Sequence, residues 1–160
     1  MKLSYEGLKD KEAWQQAGTA LPKYDWKAMC EATKEAPVWV HFGAGNIFRG
    51  FIAGLQQRLL DQGLAKSGIV AAETFDYDII DKIYWPHDSM TLMVSLKPDG
   101  STQKEVIASI AQGVKADSSD KKQWEILKKV FENPSLQMAS FTITEKGYAI
   151  SDIQGNLMKV

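Results

Sequence analysis

Apolar residues in the first half of the chain change from a continuous run to a helical spacing at a glycine-rich turn. Residues 38–42 are almost entirely apolar, as in a strand buried on both faces of a parallel sheet. Residues 43–45 (GAG) predict a tight turn, and helical spacing then continues over residues 47–60 until Gly63 ends the helix. A second apolar run, residues 68–73, follows. This order predicts a strand, turn, helix and strand, with a right-handed crossover if the strands are parallel.

The apolar residues of the predicted helix lie on one side of it. They recur at intervals of one, three or four positions along the chain, which is the spacing of a helix that packs one face on a sheet. We therefore expect the core side of this helix to consist of Ile47, Phe51, Ile52, Leu55 and Leu59.

The second half of the chain departs from a simple alternation of strands and helices. Two β-rich stretches flank the turn sequence KPDGS, which predicts a β-hairpin. The predicted elements, in order, are a short helix at 76–84, strands at 91–96 and 103–110, a charged amphipathic helix at 121–132 and a strand at 136–144. The expected fold class is α/β: a Rossmann-like dinucleotide-binding domain with a mainly parallel sheet and an inserted β-hairpin.

Residues 1–37 differ from the rest of the chain, because they are mixed and polar. A short helix is expected within them at 25–34. We interpret them as an N-terminal arm packed on a domain that comprises residues 38–160. The whole chain, 160 residues, has the length of one domain.

Charge and cysteine content restrict the classes of partner. The chain has 19 Lys and Arg residues and 20 Asp and Glu residues, and a net charge of −1 gives no strong field toward a nucleic acid or an anionic membrane. Cys30 is the only cysteine, and no Cys and His cluster has the spacing of a structural zinc site. No segment approaches the ~20 apolar residues of a membrane span. We expect a cytoplasmic protein that binds small molecules, not nucleic acid, membrane or metal.

The glycine turn lies where a dinucleotide-binding turn belongs, between a buried strand and a helix. Glycine at the first position permits the tight turn, and glycine at the second lets a pyrophosphate approach the backbone at the positive end of the helix. Gly43 and Gly45 meet these requirements. The third glycine of the usual fingerprint is replaced by Phe48, and Gly50 comes two residues later. We favour cofactor binding over the alternative, in which the two glycines only shape the connection.

Four residues after the second glycine complete the expected pyrophosphate site: Asn46, Ile47, Phe48 and Arg49. Of these, Arg49 pairs with a phosphate in one interpretation and makes ordinary surface contacts in another.

An acidic residue at the end of the second strand is expected to bind the adenosine ribose. Glu73 occupies that position, and Asp76 is the fallback. In the alternative interpretation, either acid faces solvent at the strand end or caps the following helix, for which Asp76 is well placed. A carboxylate that binds the ribose hydroxyls also repels a 2′-phosphate, so the expected cofactor is NAD, not NADP.

Three segments resemble the polyol-specific long-chain dehydrogenases, a family that includes mannitol dehydrogenases and fructuronate reductases. They are residues 21–25 (LPKYD), 40–46 (VHFGAGN) and 140–148 (SFTITEKGY), in the family's order. Phe48 resembles the mannitol 2-dehydrogenase branch and stands where the mannitol-phosphate branch has glycine. The resemblance implies an NAD-binding N-terminal domain of an oxidoreductase that acts on the secondary alcohol of a sugar acid or polyol. A fructuronate or mannonate type of substrate is preferred, and mannitol oxidation is the alternative.

The resemblance also places Thr144, Glu145 and Lys146 near the nicotinamide end of the cofactor. They follow a predicted buried strand, at the sheet edge where open α/β folds bind their ligands. In the family a catalytic lysine, without zinc, belongs to a later helical substrate domain, so we expect no catalytic residue in this chain. A noncatalytic nucleotide-binding or interaction module is the alternative from another class. His41 is expected to be a hydrogen-bonded core residue and His87 a loop residue.

Overall fold

Seven strands and five helices make up the computed structural model, which describes residues 1–143 and Leu157. The strands are β1 (Thr19–Ala20), β2 (Trp39–Phe42), β3 (Ile69–Glu73), β4 (Thr91–Leu96), β5 (Thr102–Ile107), β6 (Ile110–Lys115) and β7 (Met138–Phe141). The helices are α1 (Lys11–Gln16), α2 (Trp26–Glu35), α3 (Ala53–Asp61), α4 (Tyr77–Ile79) and α5 (Lys121–Glu132). Two π-helical turns, Phe48–Ile52 and Ile80–Tyr84, directly precede α3 and follow α4.

Four of the strands form a parallel sheet in the order β6-β3-β2-β7. All five residues of β3 are buried, because strands lie on both sides of it and other layers cover both faces. Ile69 and Ala71 pack in the cluster that contains Phe48, whereas Val70 packs with Leu127 of α5. The sheet is therefore the middle of three layers, and the expected Rossmann-like α/β fold is confirmed.

The other three strands form a second sheet in the order β1-β5-β4. β4 and β5 are the predicted antiparallel hairpin, and β1 pairs with β5 in parallel. The prediction of one strand at 103–110 was wrong at its C-terminal end. β5 stops at Ile107, and the chain then enters β6, which was not predicted. At the crossing the Ala108 amide donates to Gln57 (2.7 Å) and the Ser109 hydroxyl donates to a carbonyl of α3 (2.6 Å). These contacts with α3 end the pairing of the hairpin and direct the chain into β6.

Residues 1–37 contribute α1, β1 and α2. The helix predicted at 25–34 is confirmed as α2, which begins after Asp25 because that side chain accepts a hydrogen bond from the Ala28 amide (3.1 Å). Trp14 of α1 is buried in a cluster with residues of the hairpin, and α2 buries Met29 against α3 and β6. The segment therefore packs against both the hairpin and the parallel sheet.

The helix that follows the glycine turn does not bury the predicted face. Ile47, Phe51, Leu55 and Leu59 are 71, 64, 46 and 42% exposed, and of the five predicted core residues only Ile52 packs against the core. The prediction of this face was wrong. We refer to these four residues as the outward face of the helix.

Two features account for the exposure of Leu55 and Leu59 within the outward face. The π-helical turn Phe48–Ile52 holds more residues per turn than an α-helix, so it rotates the positions that follow. Polar residues then take inward positions, since the side-chain amides of Gln56 and Gln57 donate to the carbonyls of Ser67 and Val106, both at 2.7 Å. Each of these buried amides therefore donates to a carbonyl, as polar groups in a protein core must find a hydrogen-bond partner.

Candidate functional site

The glycine turn follows β2 at the carboxyl edge of the parallel sheet. Gly43 extends the pairing of β2 with β3, because its amide donates to the carbonyl of Ala72 (2.9 Å). Its φ of +105° lies in the left-handed region, and a Cβ at this position would stand 2.5 Å from Thr142 Oγ1. The protein's own structure therefore requires glycine at Gly43.

Gly45 has no such structural requirement. Its φ is not positive, and apart from Gly45 and its two neighbours in sequence no described residue has a heavy atom within 4 Å of the place a Cβ would take. The open space lies beside the start of the helix, where the Arg49 amide donates to the Gly45 carbonyl (3.0 Å). The amides of residues 46–48 precede this first helical hydrogen bond, so they face the end of the helix without an intrahelical partner. This arrangement can receive an anion against the backbone.

Ala44, between the two glycines, is held by two side chains. Its amide donates to Glu73 Oε2 (2.8 Å), and its carbonyl accepts a hydrogen bond from the Tyr84 hydroxyl (3.1 Å). Burial raises the pKa of the Tyr84 phenol, which keeps the hydroxyl a donor. Tyr84 was not predicted from the sequence, because its only signal is a place at the end of a predicted helix.

Glu73, predicted to bind the ribose, is 9% exposed and lies beside the turn. Its Oε1 accepts hydrogen bonds from the amides of Thr74, Phe75 and Asp76 at 3.0, 3.0 and 3.3 Å. Within the described residues Oε2 accepts only the Ala44 amide, and a carboxylate oxygen can accept one more hydrogen bond. Asp76 is exposed and precedes α4 without a capping bond from its side chain. Of the two predicted acids, only Glu73 contacts the turn.

The four residues after Gly45 are placed differently from one another. Asn46 and Ile47 are exposed at the end of the helix. Phe48 is fully buried, with its ring stacked on His41 at a centroid distance of 4.0 Å, so only its backbone can face a ligand. Arg49 donates a hydrogen bond to Asn46, which holds the guanidinium against the first turn of the helix.

A cavity of about 320 Å³ lies between this first helical turn and β4. Arg49 Nε and Thr91 Oγ1 are buried and have no hydrogen-bond partner within residues 1–143, and both residues line the cavity. His87, expected in a loop, lies in a short helical turn at the same cavity. A second cavity, of about 430 Å³, is lined by residues at the ends of α2 and α5, away from the glycine turn.

Some predicted residues take no part in this geometry. Thr144, Glu145 and Lys146 lie outside the described residues, and the strand predicted at 136–144 is observed as Met138–Phe141. Cys30 is buried in α2, where burial raises the pKa of the thiol to about 12. Residues 1–143 contain no group of three or more His, Cys, Asp or Glu side chains placed to hold a metal ion, and no helix long and apolar enough to cross a membrane.

The chain is similar to known proteins in both sequence and structure. No family model matches the chain. It is 50% identical over 157 residues to the D-mannonate oxidoreductase of Thermotoga maritima, a match that covers 98% of this chain and 29% of that protein. The fold matches a D-sorbitol dehydrogenase crystal structure with a TM-score of 0.69 and 26% identity, over 89% of this chain and 28% of that chain. It also matches Pseudomonas fluorescens mannitol 2-dehydrogenase, solved with NAD and D-mannitol, with a TM-score of 0.73 and 23% identity, over 99% of this chain and 30% of that chain.

The chain therefore spans less than a third of the length of each of these proteins. The sequence match covers nearly all of this chain, and the fold is shared as well. Both findings agree with the resemblance that was based on three short segments. These matches show that the chain is similar in sequence to part of a D-mannonate oxidoreductase and in fold to part of a sorbitol and a mannitol 2-dehydrogenase, in agreement with the resemblance to the polyol-specific long-chain dehydrogenases.

Proposed function

We propose that this chain binds the pyrophosphate of NAD at the turn of residues 43–49 and forms the cofactor-binding part of an oxidoreductase. The open space beside Gly45 is the observation that carries the proposal. Residues 1–143 leave that space free and need no glycine there, whereas a pyrophosphate lying against the backbone does need one. The amides at the start of the helix and the positive end of the helix dipole supply the attraction for the phosphates.

Glu73 is the proposed ligand of the adenosine ribose. Its Oε2 accepts the Ala44 amide and retains a lone pair for a ribose hydroxyl. A 2′-phosphate at the same place would bring like charges together at a nearly buried carboxylate, so the site favours NAD over NADP. Asp76, exposed three residues further along the chain, is proposed as a helper.

The remaining parts of the site are proposed from the start of the helix and, for residues 144–146, from the family resemblance. Asn46, Ile47 and Phe48 offer backbone amides to the phosphates, and Arg49 offers its guanidinium. Residues 144–146 form the nicotinamide end. NAD, when bound, supplies the hydride acceptor, while the residues of this chain bind and orient it.

We propose the following division of the polypeptide. Residues 1–37 form an arm packed on a dinucleotide-binding domain of residues 38–160, and a helical substrate domain outside this chain carries the catalytic lysine. No catalytic residue is proposed among the 160 residues. The complete enzyme transfers hydride between NAD and the secondary alcohol of a sugar acid. Identity of 50% to a D-mannonate oxidoreductase supports this substrate class over mannitol. The reducing cytoplasm is the proposed location, supported by the single buried thiol of Cys30.

Titration calorimetry of the chain with NAD tests cofactor binding directly. We expect the original chain to bind NAD most tightly, Gly45→Ala less tightly and Gly45→Val least tightly. The melting temperature of all three proteins should stay the same. Steric exclusion of the pyrophosphate is the reason, since a side chain at this position enters space that the fold leaves open. Equal affinity in Gly45→Val, or no binding of NAD by the original chain, contradicts the proposal.

A chimera tests the place of this chain in an enzyme. In it, the matching 157-residue part of the Thermotoga maritima D-mannonate oxidoreductase is replaced by this chain. We expect NAD-dependent oxidation of mannonate by the chimera and its loss in the Gly45→Val chimera, with the unaltered relative as the reference. A correctly folded chimera that binds NAD without turnover supports the noncatalytic alternative.

A further inference from the structure

Four side chains form one line of hydrogen bonds beneath the glycine turn. Trp39 Nε1 donates to Ser140 Oγ (2.6 Å), and Ser140 Oγ lies 2.7 Å from His41 Nδ1. His41 Nε2 lies 3.1 Å from Thr142 Oγ1, which donates to the carbonyl of Gly43 (3.3 Å). The line therefore alternates between β2 and the carboxyl end of β7, and it ends on the first residue of the turn.

Only one direction of donation satisfies every group in this line. The indole of Trp39 can only donate, so the Ser140 hydroxyl accepts from it and gives its own hydrogen to His41 Nδ1. The Thr142 hydroxyl gives its hydrogen to the Gly43 carbonyl, so it must accept from His41 Nε2. A neutral imidazole carries one hydrogen, and the network places it on Nε2.

The surroundings of His41 favour the neutral imidazole that this line requires. The residue is fully buried, and its ring is stacked on Phe48 at an interplanar angle of 5°. Within residues 1–143 its recorded hydrogen-bond partners are the hydroxyls of Ser140 and Thr142, neither of which carries a charge. Burial lowers the pKa of His41 to about 4, so the ring is uncharged at neutral pH.

We infer that His41 is a positioning residue of the cofactor site: its Nε2–H orients the Thr142 hydroxyl onto the Gly43 carbonyl and so fixes the glycine turn against the end of β7. This inference rests on the proposed function of the turn. A Cβ on Gly43 would lie 2.5 Å from the Thr142 hydroxyl oxygen and 2.8 Å from the Thr142 carbonyl oxygen, so the turn packs directly against Thr142.

The position of this contact gives it a role that the other contacts of the turn do not have. Ala72 and Glu73 hold the turn on the side of β3. The line through His41 holds it on the side of β7, the strand that leads to the proposed nicotinamide end at residues 144–146. The line therefore ties the turn to the strand that precedes residues 144–146 in sequence.

Nuclear magnetic resonance of the 15N-labelled chain tests the network without any cofactor. The expected spectrum shows His41 as the neutral Nε2–H tautomer at pH 7, and Thr142→Val shifts the amide resonances of Gly43 and Ala44. An Nδ1–H tautomer, an imidazolium, or unchanged Gly43 and Ala44 resonances in Thr142→Val overturns the inference. Because this measurement needs no NAD, it decides the network even if the turn binds no dinucleotide.

Variants then test the effect of the network on NAD affinity. Thr142→Val and His41→Leu should each weaken NAD binding by about 5- to 10-fold, the value of one hydrogen bond, and the double variant should be no weaker than either single one. Thr142→Ser keeps the hydroxyl and His41→Gln keeps a donor near Nε2, so both should retain affinity within about 3-fold. Thr142→Val also serves if His41→Leu does not fold, because Thr142 is only half-buried.

Thr33→Val is the matched control for these variants. It removes a buried threonine hydroxyl that lies outside the line and accepts a hydrogen bond from the Gly68 amide (2.7 Å). NAD affinity should therefore stay within about 2-fold of the original chain. A loss of affinity in Thr33→Val as large as in Thr142→Val would show a general effect of lost stability, and unchanged affinity in folded Thr142→Val would exclude the positioning role. Both outcomes overturn the inference, whereas absence of NAD binding in the original chain refutes only the proposed function.

Discussion

Glu73 Oε2 and the amide nitrogen of Ala44 lie 2.8 Å apart, so the acid at the end of β3 is a structural support of the glycine turn. Its other oxygen accepts three further backbone amides, from residues 74–76. Ribose binding and support of the turn therefore depend on the same carboxylate. Substitution of Glu73 should change both properties, and the two changes can be measured separately.

Glu73→Gln should lower the free energy of unfolding by about 1–3 kcal/mol, because one side-chain oxygen becomes an NH₂ group that faces backbone donors. The ratio of NAD to NADP affinity should also fall, since the negative charge is lost. Chemical denaturation measures the first effect and calorimetry with both cofactors the second. Asp76→Asn is the control, and its stability should stay within about 0.5 kcal/mol because its side chain is exposed and makes no capping bond. A Glu73→Gln variant as stable as Asp76→Asn contradicts the supporting role.

Gly43 and Gly45 should respond differently to alanine. Gly43→Ala places a Cβ 2.5 Å from Thr142 Oγ1 at a φ of +105°, so the free energy of unfolding should fall by about 1–3 kcal/mol. Gly45→Ala meets open space and should change stability by less than about 1 kcal/mol. Thermal and chemical denaturation of the two variants make the comparison. Equal loss of stability in both would show that the turn needs Gly45 for its own conformation.

Stability should depend on pH through His41. The pKa of this residue is lowered from 6.5 to about 4 in the folded chain, so between these values the unfolded state binds more protons. Stability is therefore complete above pH 6.5 and decreases as the pH falls toward 4, by up to about 3 kcal/mol. Denaturation curves from pH 4 to 7 should show a smaller slope in His41→Gln. Carboxyl groups also titrate near pH 4, so the difference between the two proteins is the quantity to compare, and identical slopes would contradict the prediction.

The outward face of the helix should tolerate polar residues. Phe51→Gln and Leu55→Gln replace side chains that are 64 and 46% exposed, so each should change the free energy of unfolding by less than about 0.5 kcal/mol. Leu60→Ala, on the buried side at 5% exposure, should cost about 2–4 kcal/mol. Chemical denaturation distinguishes the two sides of the helix. Costs of the same size at Leu55 and Leu60 would restore the face expected from the sequence.

Cys30 should be inert in the folded chain. Its thiol is buried, and the pKa of about 12 leaves almost no thiolate at pH 8. An aromatic disulfide reagent should therefore react with Cys30 at the rate at which the chain unfolds, and at once in denaturant. Rapid reaction without denaturant would show that α2 opens locally.

Local signals explain which elements the sequence predicted well. The KPDGS turn predicted the hairpin, and Asp25 and Asp120 each precede a helix and cap it through the side chain. The glycine turn was predicted from two residues whose neighbours in sequence are a strand and a helix. Each of these features depends on residues only a few positions apart, so one sequence contains enough information to predict them.

Contacts between distant residues explain what the sequence did not predict. The outward face follows from a π-helical turn and from glutamine side chains whose partners lie elsewhere in the chain. Tyr84 reaches Ala44 across 40 residues, and His41 reaches Ser140 across 99. The spacing of hydrophobic residues does not indicate which distant residues will form hydrogen bonds with one another. The position of His41 in a core strand was predicted correctly, whereas its connection to the turn required the fold.

The pairing of β2 with β7 also determines when the turn is completed during synthesis. Gly43 and Thr142 are 99 positions apart, so a ribosome makes the first long before the second. Until β7 is added, the β7 side of the turn lacks the hydroxyl against which Gly43 rests. Contacts across such separations form late and slow the folding of a domain. The glycine turn is encoded in the first third of the chain, but a nascent polypeptide acquires its finished form only after almost all of the described residues have been translated.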